Sequence, residues 1–119
     1  MKHIYKLLML IILVSTTTIF ADQPYATNVT ITGLAVDGQT LNGSYLYGDI
    51  DGDLEATSTF KWYTATDALG GGSAAIGGAT TTSYVVLPGD VGKWIGFGVT
   101  PNAATDGGAG GGTAGTEVI

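Results

Sequence analysis

Short segments of alternating apolar and polar residues, separated by turn-forming residues, constrain this chain more than any other feature. In residues 28–32 the apolar Val29 and Ile31 alternate with polar side chains, and residues 40–47 and 57–65 repeat the period of two. This period places successive side chains on opposite faces of a β-strand. Residues 94–100 continue the pattern, and no amphipathic helical pattern occurs after residue 21. The sequence therefore predicts an all-β fold.

Weaker strand patterns complete the set. A short strand is expected near residues 75–76, an apolar run follows at residues 84–87, and residues 113–119 can supply the last strand. Asp37-Gly38 and residues 88–92 have turn composition, and residues 67–82 and 101–112 are glycine-rich loops. About seven strands joined by turns in one domain of this size are typical of a two-sheet antiparallel β-sandwich.

We place Trp62 at the centre of the predicted core, because Lys61 beside it then faces solvent. The other predicted core residues share the inward face of the strands. The full set is Val29, Ile31, Leu41, Tyr45, Phe60, Trp62, Tyr84, Val86, Val91, Ile95, Phe97 and Val99.

Residues 1–21 have the pattern of a secretory signal peptide. Lys2, His3 and Lys6 precede an apolar run at residues 7–14, and a short segment ends in Ala21. The run is too short for a transmembrane helix, which needs about 20 apolar residues. We expect cleavage after Ala21, no membrane insertion afterwards, and residues 22–119 as one domain that is secreted, extracellular or on the cell surface.

Charge and cysteine content exclude several function classes. Residues 22–119 contain ten acidic side chains and two lysines, Lys61 and Lys93, which gives a formal charge of −8. Such a domain is repelled by phosphate and anionic lipid, which argues against nucleic-acid and membrane-surface partners. The chain has no cysteine, and its one histidine, His3, lies in the predicted signal peptide. Ser-His, Cys-His and histidine-ligated metal chemistry are therefore absent, and we predict that the protein is not an enzyme.

A series of short motifs runs along the chain: Gly38-Gln39-Thr40-Leu41, Gly43-Ser44-Tyr45, Asp49-x-Asp51-Gly52-Asp53, Phe60-x-Trp62, Ser83-Tyr84 and Asp90-Val91-Gly92-Lys93. Taken together, they resemble the bacterial immunoglobulin-like (Ig-like) repeats of secreted and cell-surface proteins. The resemblance implies an Ig-like β-sandwich over residues 22–119 that serves as a spacer, adhesion or display module. Implied partners are neighbouring surface modules, other proteins or polysaccharide.

The segment Asp90-x-Gly92-x-Trp94-x-Gly96 is also similar to a corner of immunoglobulin domains. That corner would turn Trp94 inward, whereas hydrophobic alternation turns Ile95, Phe97 and Val99 inward. The two arrangements exclude each other on one regular strand. We favour alternation, because burying a large apolar side chain stabilises a fold by about 1.5–3 kcal/mol.

Four carboxylates within seven residues form a candidate metal site: Asp49, Asp51, Asp53 and Glu55, around Gly52. Calcium accepts six to eight oxygen ligands and would relieve their repulsion. The spacing is not that of an EF-hand, and Asp and Gly also favour turns without any metal. Calcium is thus a possible rather than a required cofactor.

Trp94, with Val85 and Leu87, is predicted to form an exposed apolar face. Exposed aromatic rings beside glycines can stack on sugars, so a small carbohydrate-binding module is the alternative function. The competing interpretation is that these side chains cover the sandwich edge or contact a neighbouring module.

Overall fold

The structure is a computed structural model and describes residues 22–105, which form six strands in two antiparallel three-stranded sheets. The strands are β1 (Tyr25–Thr32), β2 (Thr40–Gly48), β3 (Thr59–Ala65), β4 (Ala74–Ala75), β5 (Ser83–Val85) and β6 (Trp94–Thr100), with a 3-10 turn at Pro88–Asp90. The first sheet has the order β1-β2-β5 and the second β4-β3-β6. The all-β prediction is confirmed. The expected signal peptide at 1–21 and last strand at 113–119 lie outside the described residues.

Strand β1 keeps its apolar side chains inward by means of a β-bulge. Thr27 pairs with Leu46 and Thr30 with Ser44, so β1 advances three residues where β2 advances two. Asn28, at the bulge, has φ 50°, a conformation that asparagine tolerates better than most residues. The extra residue lets both Ala26, which is buried, and Val29, which is half-buried, face the other sheet.

An aromatic cluster fills the space between the sheets. Trp62 is fully buried, and its ring centroid lies 5.0 Å from that of Phe97 and 5.5 Å from that of Tyr84. The indole Nε1 donates a hydrogen bond of 2.8 Å to the carbonyl oxygen of Thr81, so its polar atom is satisfied. Eleven of the twelve predicted core residues are buried or packed against this cluster.

Val91 is the exception, and its assignment to the core is wrong. Its side chain is 72% exposed, whereas Asp90 is buried. The Asp90 Oδ2 accepts hydrogen bonds from the Tyr84 hydroxyl (2.6 Å) and from the Leu87 N–H (2.9 Å). Burial, and then the hydrogen bond to Asp90, raise the pKa of Tyr84 to about 12. The 3-10 turn interrupts the period of two and turns the aspartate inward.

Strand β6 follows hydrophobic alternation. Phe97 and Val99 are buried, Ile95 is half-buried, and Trp94 is 56% exposed. The Ig-corner orientation of Trp94 is therefore excluded. Phe97 also explains a glycine on the inward face of β2, because a Cβ at Gly43 would lie 2.5 Å from atoms of the Phe97 ring.

Four strand ends meet at one pole of the sandwich. The start of β1 pairs with the end of β2, as Tyr25 opposite Gly48, and the start of β3 pairs with the end of β6, as Thr59 opposite Thr100. The loop of residues 49–58 joins β2 to β3 at this pole, which we call the acidic pole.

In the described part of the chain, no helix is long and apolar enough to cross a membrane.

Candidate cation site and exposed aromatic face

Asp49 organises the loop at the acidic pole. Its Oδ1 accepts hydrogen bonds from the backbone N–H groups of Asp51 (2.9 Å) and Asp53 (3.2 Å). The Gly52 N–H donates to the Asp49 carbonyl at 3.3 Å, and Gly52 has φ 78°. A short aspartate side chain that bonds to the backbone two residues ahead is a common way to fix a turn. The loop is thus held by the first of its four acids.

The same turn brings three carboxylates together. One oxygen from each of Asp49, Asp51 and Asp53 lies within 4.8 Å of the other two. Calcium binds oxygens at 2.3–2.6 Å, so ligand atoms around one ion lie up to about 5 Å apart. The second carboxylate oxygen of Asp49, Oδ2, is buried and has no hydrogen-bond partner among the described residues. Geometry and charge are therefore compatible with a divalent cation.

The fourth predicted ligand, Glu55, is directed elsewhere. Its Oε1 accepts hydrogen bonds from the Tyr45 hydroxyl (2.5 Å) and from the Ser58 hydroxyl (2.6 Å). Burial, and then the bond to Glu55, raise the pKa of Tyr45. Ser58 in turn accepts a hydrogen bond from the Asn102 N–H at 3.3 Å. Glu55 therefore joins the loop to β2 and to the segment after β6, away from the three aspartates.

Both ends of the described chain reach the aspartate cluster. The Asp22 N–H donates to Asp51 Oδ2 at 2.7 Å, and the Thr105 hydroxyl donates to Asp53 Oδ1 at 2.5 Å. These two contacts span 29 and 52 residues of sequence. The cluster thus joins the loop to the first and the last residue that the structure describes.

Tyr47 lies beside the aspartate cluster, and the sequence analysis did not identify it as part of the site. Its hydroxyl is buried and has no hydrogen-bond partner within residues 22–105. Burial raises the pKa of Tyr47, and the negative charges of Asp49, Asp53 and Glu55 raise it further. Its position one residue before the end of β2, on the face it shares with Tyr45, is the sequence signal that could have placed it here.

Trp94 is exposed at the start of β6 and borders two grooves. One, of about 520 Å³, runs between β6 and the end of β1, where Ile31 and Leu41 line it. The other, of about 450 Å³, is lined by the 67–73 loop, including Asp67 and Leu69. A flat aromatic ring between two grooves is an arrangement that can receive a sugar ring or an apolar side chain.

Val85 and Leu87 do not share a face with Trp94. They are 50% and 52% exposed, but Val85 lies on β5 in the first sheet, whereas Trp94 lies on β6 in the second. They line a separate groove of about 290 Å³ together with Ile76. The prediction of one continuous apolar face is therefore wrong. Alternation along each strand gave the exposure correctly but could not assign the strands to sheets.

Comparisons with protein-family models, with characterised proteins and with solved structures found no match.

Proposed function

We propose that this chain is a non-catalytic extracellular structural module with an Ig-like fold, serving as a spacer, adhesion or display domain of a bacterial surface or secreted protein. The observation that carries the proposal is the strand order. Constant-type Ig sandwiches place the first, second, fourth and fifth strands in one sheet and the third, sixth and seventh in the other, and variable-type domains add an extra strand beside the third. The orders β1-β2-β5 and β4-β3-β6 share the neighbours β1-β2, β2-β5 and β3-β6 with that arrangement, and β4 lies where the extra strand of variable domains lies, beside β3.

The use of the buried polar groups supports a structural role. Asp90 fixes the turn before β6 through Tyr84 and Leu87, and Ser58 joins the acidic-pole loop to Asn102. Each of these groups connects one loop to another part of the sandwich. A module that transmits or resists force needs such ties, whereas a catalytic acid or base must be able to reach a substrate proton.

Export is the first part of this proposal that can be tested. The full chain should be produced in a bacterial host, and the mature product analysed by intact mass and N-terminal sequencing. The proposal expects an exported protein that begins at Asp22. A protein that remains in the cytoplasm with residues 1–21 attached would contradict an extracellular role.

We further propose that Asp49, Asp51 and Asp53 bind calcium, which stiffens the acidic pole. Cleavage after Ala21 turns the Asp22 nitrogen, 2.7 Å from Asp51 Oδ2, into a positively charged α-amino group that partly offsets the charge of the cluster. Calcium binding must therefore be measured on protein that begins at Asp22. An added N-terminal residue would remove this native cation from its position.

The calcium test is a thermal melt with calcium and with chelator. At about ten times its Kd, calcium stabilises the folded state by about 1.4 kcal/mol, and each kcal/mol raises Tm by about 4–8 °C in a domain of this size. Asp49→Asn should abolish the shift. The matched control is Asp37→Asn, which removes the same charge from the β1–β2 turn. An equal Tm in calcium and in chelator would refute calcium binding, and the proposal would then be a structural module without a metal.

A small carbohydrate-binding module is the second candidate, favoured by the exposed Trp94 between two grooves. Titration with a panel of polysaccharides, followed by tryptophan fluorescence, tests it. Because Trp94 is itself the exposed reporter, binding by the variants is measured by calorimetry; it should disappear in Trp94→Ala but persist in Val85→Ala, which truncates a similarly exposed apolar side chain on the other sheet. No response to any polysaccharide would remove this candidate, and a spacer would tolerate both substitutions.

A further inference from the structure

Asn42 differs from the other asparagines of the chain because glycine follows it. The chain has three asparagines, and Asn28 and Asn102 precede valine and alanine. In an Asn-Gly pair the glycine nitrogen can attack the carbon of the side-chain amide, because glycine has no Cβ to obstruct the approach. Asn42 lies on the outward face of β2 and is exposed, so its side chain is open to water. The remaining requirement is a free Gly43 nitrogen.

The first sheet holds that nitrogen. The Gly43 N–H donates a hydrogen bond of 2.7 Å to the carbonyl oxygen of Thr82. Strand β2 lies between β1 and β5, and Asn42 pairs with Thr32 on one side and with Ser83 on the other. The five-membered ring forms only if the peptide group between residues 42 and 43 rotates out of the extended strand, which breaks these contacts. The folded sheet therefore prevents the attack while leaving the side chain exposed.

Core packing fixes glycine at position 43. An added Cβ there would lie 2.5 Å from atoms of the Phe97 ring, and overpacking of this kind destabilises a fold. Asparagine and glycine are therefore adjacent at a position where the core requires the glycine. The pair is unreactive in the sheet and becomes reactive whenever the chain leaves the sheet.

We propose that Asn42 is a self-modification site that the folded domain holds inactive and that unfolding activates. In the unfolded chain the Gly43 nitrogen forms a bond to Cγ of Asn42. The bond between Cγ and Nδ2 breaks, and Nδ2 leaves as ammonia with the proton of the Gly43 nitrogen. Water then opens the resulting succinimide at one of its two carbonyl–nitrogen bonds. The products are aspartate and isoaspartate at position 42, and water is the only co-reactant.

The two products differ in their effect on the strand. Aspartate keeps the main chain as it was and places one negative charge on the outward face of β2, which is compatible with an exposed position. In isoaspartate the main chain passes through the former side chain and gains one carbon atom. The added atom disrupts the inward and outward alternation of the strand after position 42, so that Gly43 is displaced from its contact with Phe97. Unfolding is thereby recorded as a chain that cannot rebuild β2.

Peptide mapping of the full chain tests the activation by unfolding. The protein is incubated at one mildly alkaline pH, folded in buffer and unfolded in urea, and deamidation is followed by mass spectrometry. Asn42 should deamidate at least about tenfold faster in urea, because in buffer the reaction has to wait for local opening of the sheet. Asn28 and Asn102 are the internal controls and should change much more slowly in urea. Equal rates for Asn42 in the two states, or equal rates for all three asparagines in urea, would overturn the proposal.

Refolding tests the consequence of the modification. After the incubation in urea the protein is diluted into buffer, and size-exclusion chromatography separates the folded protein from misfolded chains. The folded fraction should contain asparagine and aspartate at position 42 and should be depleted in isoaspartate. Asn42→Gln is the control, because its longer side chain does not form the five-membered ring, and it should refold in full after the same incubation. Isoaspartate at the same share in the folded and misfolded fractions, or an equal loss of refolding in Asn42→Gln, would contradict the block of β2.

Discussion

Replacing Gly43 by alanine tests the close approach of the two sheets. Gly43 lies on the inward face of β2, and a Cβ there would lie 2.5 Å from Cδ1 and Cε1 of Phe97. Non-bonded carbon atoms prefer about 3.5–4.0 Å, so the methyl group requires about 1 Å of movement. Phe97 is only 2% exposed and stacks on Phe60 at 5.7 Å. Its ring therefore cannot move without disturbing the aromatic cluster.

The expected loss follows from overpacking. Added methyl groups in a filled core destabilise proteins by about 1–3 kcal/mol, and we expect Gly43→Ala to fall in this range. In a Phe97→Leu background the smaller side chain leaves room for the methyl group. Gly43→Ala should therefore be less destabilising in the Phe97→Leu background than in the native protein. The coupling energy between the two substitutions should be about 1 kcal/mol, as for residues in direct contact.

Urea unfolding of the two single variants and the double variant measures this coupling. The midpoint should fall for Gly43→Ala while the slope m stays constant, since the surface exposed on unfolding is unchanged. Gly77→Ala is the matched control, because an added Cβ there meets no atom within 4 Å. Additive free energies in the cycle, or an unaltered midpoint for Gly43→Ala, would refute the packing of Phe97 against β2.

Two further predictions concern buried polar groups. Because the pKa of Tyr84 is raised from 10.0 to about 12 in the folded state, the unfolded chain ionises first. Stability is therefore complete below pH 10 and falls by up to roughly 3 kcal/mol as the pH rises to 12. In Tyr84→Phe the fall, measured by urea unfolding at each pH, should be shallower, with Tyr45 and Tyr47 contributing the remainder; an equally steep fall would contradict the assignment. Ser58→Ala should destabilise the protein by about 1–2 kcal/mol, because the buried hydroxyl links Glu55 and Asn102. Exposed Ser73→Ala is its control, and equal effects of the two would argue against the link.

The sequence predicted which side chains face the core wherever a strand has one face in solvent and the other against the core. Along β2, the predicted outward residues Thr40, Asn42, Ser44 and Leu46 are all exposed. A period of two carries no information about an inserted residue, so the bulge at Asn28 could not be foreseen. The period of two also fails to predict that Val91 is exposed, because a buried hydrogen bond to Tyr84 holds Asp90 inward.

The candidate site was predictable in composition but not in geometry. The sequence shows four acids at every second position, and nothing in that spacing separates Glu55 from the three aspartates. The separation arises from Tyr45, ten residues earlier, whose hydroxyl binds Glu55. The contacts of Asp22 and Thr105 with the cluster are likewise long-range. Such contacts depend on how the strands pair, which local patterns do not encode.

The burial of Trp62 is the most direct test of the whole account. The chain has two tryptophans, of which Trp62 is 0% and Trp94 56% exposed, so Trp94→Phe leaves the core indole as the sole reporter. We predict blue-shifted emission that acrylamide does not quench until the protein unfolds. Emission typical of an indole in water, and ready quenching in the folded protein, would contradict a sandwich closed over Trp62.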